Sequence, residues 1–249
     1  MQRRQTFPPF IHQHWHTATL PEQLATCMSI SQLFVARTTE TRPFLWRSIY
    51  GEAQRFRDEL DTYSKYDIMV ALQALVIYTI MAVVDQDIET LDRYARLTGT
   101  FRVMTMKLLQ LLDGAPFAEH EWANPSAQWE DWIFAESRRR IGCLWFVVTR
   151  TVWPRGEEPC RGLIASRDKP LCTAKAMWEA RTREEWETER AFHEVSLLHT
   201  DMWSFGALMD AHEGGGPLNA MRLDAWEAGT DKLGALMSIA ICLVDKEQD

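Results

Sequence analysis

Along this chain apolar residues recur every three or four positions, between prolines, glycines and short polar runs, and that period is helical. Pro21, preceded by Thr19, opens a first helix carrying Leu24, Cys27, Met28, Leu33, Phe34 and Val35. Pro43 starts a second, with Leu45, Trp46, Ile49 and Phe56 at helical intervals. Tyr66 to Val84 is a strongly apolar third, free of Gly and Pro. Leu91 to Leu111 forms a fourth that stops at Asp113-Gly114-Ala115-Pro116. After a polar loop over 118–126, a fifth runs from Ala127 to Val152 and ends at Pro154 and Gly156. The chain is then irregular as far as Thr173. Ala174–Leu198, Met202–Ala211 and Leu218–Val244 complete the series, with Gly214-Gly215-Gly216-Pro217 as a flexible joint before the last. No period-two run of strand length and no repeat appears. The pattern predicts an all-α fold, a single domain of about eight helices over 20–249, behind an extended N-terminal arm, 1–19, where Pro8 and Pro9 forbid helix.

The fifth helix is the most telling. Trp129, Trp132, Ile133 and Glu136 share one face, three arginines follow at 138–140, and Ile141 to Val148 is apolar almost all round. Such a helix belongs at the centre of a core.

Composition agrees. The chain has 249 residues, 46% of them hydrophobic, with 11 Trp, so aromatic packing dominates the interior. Mean hydropathy is -0.27, which suits a soluble protein. The apolar runs Met69–Val84 and Ile141–Val148 fall short of the roughly 18–20 residues of a membrane span. Residues 1–10 hold no apolar run, so no secretory leader is expected. A net charge of -8 repels phosphate backbones and argues against nucleic-acid binding by the surface at large. Cys27, Cys143, Cys160, Cys172 and Cys242 are scattered, without C-x-x-C spacing, as in a reduced intracellular protein.

Several groupings invite chemistry. His12, His14 and His16 share one face of an extended arm and suit a transition metal, but no Cys or carboxylate completes a fixed site. A polar arm lying over the helices is the simpler reading. Asp85, Asp87, Glu89 and Asp92 follow an apolar helix, an arrangement isoprenoid cyclases use for magnesium and diphosphate. No second metal motif accompanies them, and helix N-terminal charge explains them as well. Arg138, Arg139 and Arg140 suit an acidic ligand. Glu136 reaches Arg139 at i+3 and Arg140 at i+4, which favours an internal ion-pair network. Ser137, Ser196 and Ser204 lie in no G-x-S-x-G elbow, and the glycines at 214–216 lack the Lys-Ser/Thr of a phosphate loop. The expectation is no catalytic, cofactor-binding or metal-binding residue.

The run Trp129-Glu-Asp-Trp-Ile-Phe-Ala-Glu-Ser-Arg-Arg-Arg140 resembles a signature of the regulatory (middle homology) domain of fungal zinc binuclear-cluster transcription factors. Residues 8–12, 20–25, 36–42, 71–78 and 223–229 resemble it in the expected order. The resemblance implies a nuclear transcription regulator, controlling a secondary-metabolite gene cluster through ligand or protein contacts. Partners would be other regulators or a full-length homologue, with a small hydrophobic ligand as a further candidate and no membrane. The family's DNA-binding module needs six cysteines at short spacing, whereas Cys27 alone precedes Cys143. The resemblance therefore implies a regulatory domain without its own DNA-binding module, encoded alone or left so by a shortened gene model. A repurposed helical enzyme or binder of a hydrophobic biosynthetic intermediate is the alternative.

Overall fold

A computed structural model describes residues 7–16, 19–85, 89–112, 128–152 and 167–245. Among these residues there are 10 α-helices and no strands, so the fold is all-α. The chain divides into two compact units, residues 16–116 and residues 1–15 with 117–249, where the hydrophobic pattern had suggested one helical body.

The 16–116 unit contains α1 (Glu22–Val35), α2 (Arg42–Asp58), α3 (Lys65–Asp85) and α4 (Thr90–Leu111). Pro43 sits in the first turn of α2, where a missing N–H costs nothing. α3 packs against α1, α2 and α4 and is buried around most of its circumference. With a mean hydropathy of 2.1 it is long and apolar enough to cross a membrane, so the sequence-based length argument understated it. Covered by its neighbours, it is the core helix of this unit.

The other unit holds the segment from Phe7, α5 (Trp129–Val152), the short α6 (Lys175–Trp178), α7 (Arg183–Thr200), α8 (Phe205–Glu213), α9 (Gly216–Gly229) and α10 (Lys232–Asp245). α5 packs on α10, and α8 touches both α9 and α10. Trp129, Trp132, Ile133, Met177, Trp178, Ala180 and Trp186 form one buried cluster, with the Trp132 and Trp186 rings 5.6 Å apart.

Three expected boundaries move, each for a local reason. The helix predicted over 174–198 breaks at 179–182, and Thr182 caps α7 by accepting the Glu185 N–H at 3.2 Å. The helix predicted over 218–244 breaks at Thr230, because Asp231 Oδ1 accepts the Leu233 and Gly234 N–H groups. The glycine joint is an ordered helix-to-helix turn in which Gly215 and Gly216 take positive φ. The N-terminal arm is not extended throughout. Phe10, Ile11 and His12 are buried and Gln13–His16 forms a 3₁₀ turn. The predicted ends at Asp113–Pro116 and Pro154–Gly156 lie outside the described residues.

Gly234 lets α10 close on this turn, since a Cβ there would meet Thr230 Oγ1 at 1.7 Å. Gly51 in α2 has open space instead. Thermal melts of Gly234→Ala should show a loss of ~1–3 kcal/mol. Gly51→Ala should gain ~0.5–1 kcal/mol in the same measurement.

Candidate functional site

The acidic and arginine runs singled out by sequence each contribute to a buried charge cluster, one in each unit. In the second unit the centre is Arg140, which has no exposed surface. Its Nε donates to Glu136 Oε1 at 3.0 Å, Nη1 to the Pro9 carbonyl at 2.9 Å and to Asp231 Oδ2, and Nη2 to the Thr173 carbonyl at 3.2 Å. The guanidinium lies 4.2 Å from the centre of the Trp178 ring. Glu136, equally buried, also accepts the Thr173 N–H at 2.9 Å and pairs with Arg139 at 3.0 Å. Burial disfavours the Arg140 cation, but the charges of Glu136 and Asp231 outweigh it and raise its pKa.

Sequence spacing brought out Glu136, Arg139 and Arg140 and missed Asp231, Pro9 and Thr173. Asp231 carried a signal, a carboxylate at a helix start after Gly229 and Thr230. Backbone carbonyls carry none.

His12 and His14 sit over the tryptophan cluster. His12 meets Trp178 edge-on at 4.7 Å, and His14 stacks on Trp129 at 4.3 Å. The 3₁₀ turn removes the shared face an extended arm would give, and the His14 N–H donates to His12 Nδ1 at 3.2 Å. The His16 side chain lies outside the described residues. Among the described residues no three His, Cys, Asp or Glu gather in a metal-holding group.

In the 16–116 unit the centre is Asp85, at the C-terminal end of α3. Its oxygens accept Arg37 Nε at 2.7 Å, Arg93 Nη1 at 2.8 Å and Trp46 Nε1 at 2.9 Å, and Arg42 lies at 3.5 Å. Arg93 also donates to Glu89 at 2.8 Å and lies over the Trp46 ring. Burial alone would raise the Asp85 pKa, but the hydrogen bonds from Arg37 and Trp46 and the nearby arginine charges pull it below the ordinary value. Asp85 and Glu89 thus serve as arginine partners, and three guanidinium groups around Asp85 repel a divalent cation. Asp92 is exposed in the first turn of α4, as a helix-dipole role requires, and Asp87 lies outside the described residues.

The other candidates separate. Ser204 caps α8, Ser137 is buried in α5, and Ser196 edges a cleft shared with His193, Thr200, Met202, Trp226 and Thr230. That cleft has a volume of about 40 Å³, room for water molecules. Burial lowers the His193 pKa there. Cys27 and Cys143 are buried free thiols, and burial pushes Cys27 up to about 12. Cys160 lies outside the described residues.

Comparison with known proteins adds one likeness. The chain is 29% identical over 142 residues to transcription factor gsfR2 of Penicillium aethiopicum. The match takes in 53% of this chain and 34% of that protein, so the chain spans about a third of this relative's length. No family model matches the chain, and no solved structure matches it. The similarity to a fungal transcription factor is therefore distant and partial.

Two measurements check the clusters. Arg140→Lys keeps the charge but loses the planar fork, and should cost ~3 kcal/mol or more in denaturant melts followed by tryptophan fluorescence. Asp85→Asn should cost a similar ~3–5 kcal/mol at neutral pH. Because the folded Asp85 carboxyl lies below 3.8, its stabilisation is full above that pH and is lost as pH falls through the lowered value. The gap between wild type and Asp85→Asn should therefore narrow on acidification below pH 3.8.

Proposed function

We propose that this protein is a transcription-regulator-like protein acting in the nucleus on a fungal secondary-metabolite gene cluster. It works through contacts with other regulators, a full-length homologue among them. The observation that carries this reading is the partial similarity to transcription factor gsfR2. The buried charges fit a scaffold role. Arg140 directs its donors at Glu136, Asp231 and two backbone carbonyls, and Asp85 is held by arginines of its own unit. The net charge of -8 opposes contact with a phosphate backbone. We read the protein as a non-enzyme.

The second reading, a binder or enzyme for a hydrophobic intermediate, draws on the Trp226-flanked cleft beside His193. Its volume of about 40 Å³ is well below the ≈ 300–1,000 Å³ of small-molecule pockets.

Transcript profiling of a deletion strain tests the proposal. The expected outcome is a coordinated change across one contiguous set of biosynthetic genes. Unchanged transcripts throughout would refute it.

A further inference from the structure

Helix α7 carries apolar residues on two opposite sides. One side is accounted for, since Trp186 is buried in the tryptophan cluster. On the other side Phe192, Val195 and Leu198 are 68%, 54% and 85% exposed. Ala191, Thr188 and His199 lie on the same outward face and are also exposed. Between 188 and 199 that face bears no carboxylate, lysine or arginine.

The flanking acids do not call for a basic partner. Glu187 is already bound to Arg183 at 2.9 Å and Glu194 to Arg190 at 2.8 Å, each four residues away on the same helix. What remains is a neutral apolar stripe centred on Val195.

Such a stripe is self-complementary. Laid antiparallel on its own copy about Val195, it sets Phe192 against Leu198, Val195 against Val195, and Ala191 against His199. Glu184, in the first turn, falls beyond the end of the opposing helix. Phe192, Val195 and Leu198 with the exposed Thr188, Ala191 and His199 beside them offer roughly 500 Å² of mostly apolar surface per copy. Two copies then bury roughly 1,000 Å², the lower limit for a specific interface.

We propose that the outward face of α7 is an isologous contact between two copies of this chain. The proposal stands apart from the transcriptional reading and can fail without it.

Sedimentation equilibrium on the whole chain at about 10–100 µM tests it. Wild type should form dimers, and Val195→Glu/Leu198→Glu should weaken association by roughly a hundredfold or more. The circular dichroism spectrum of that variant should stay unchanged, because both positions are exposed. Leu218→Glu, at an exposed position on α9, should leave the dimer intact. Each copy carries a charge of -8, so raising the salt should strengthen the dimer by screening their repulsion. Mild oxidation should cross-link Val195→Cys between copies and leave Glu187→Cys uncross-linked. A wild-type monomer across this range would overturn the proposal. So would a dimer that survives the double substitution, or one that Leu218→Glu abolishes.

Discussion

A guanidinium with no exposed surface is the constraint around which the unit containing α5 is built. Taking a cation out of water costs several kcal/mol even after relaxation, and the cost is offset only when opposite charge and well-placed acceptors meet it. Arg140 meets it with Glu136 one turn back on its own helix, the Pro9 and Thr173 carbonyls, and Asp231 at the turn between α9 and α10. These groups come from four stretches far apart in sequence. Arg140 can be satisfied only when all four are in place, so one side chain ties the N-terminal segment, the central helix and the C-terminal helices together. Trp178, a member of the buried tryptophan cluster, supplies a ring face to the cation.

The 16–116 unit solves the mirror problem. There the buried ion is a carboxylate, and Asp85 gathers Arg37, Arg93, Arg42 and the Trp46 indole. Arginine suits both roles for the same reason. Its charge is permanent and its donors are fixed in a plane, so it can serve a carboxylate and rest on an aromatic ring at once. Arg93 does both, with Asp85 and Glu89 on its nitrogens and Trp46 beneath it.

Three of the six stretches singled out in the sequence hold members of these clusters. Residues 8–12 contain Pro9, residues 36–42 contain Arg37 and Arg42, and 129–140 contains Glu136 and Arg140. These positions concern how the fold is held, because each contributes a partner to a buried ion.

The sequence by itself determined the helical class, most helix cores, the buried face of α5 and the i+3 and i+4 pairs from Glu136 to Arg139 and Arg140. Those features depend on the helical period and on neighbours within one or two turns. Only the tertiary structure decided that Asp231 joins Arg140, that Asp85 is an arginine anchor, and that His12 packs on tryptophans. It also fixed the break at Thr230, the division into two units and the apolar stripe left exposed on α7. In each of these the deciding partner is distant along the chain, a backbone carbonyl, or a neighbour whose cover a linear pattern cannot report. Sequence periodicity shows which side of a helix is apolar, whereas packing alone decides whether anything lies against it.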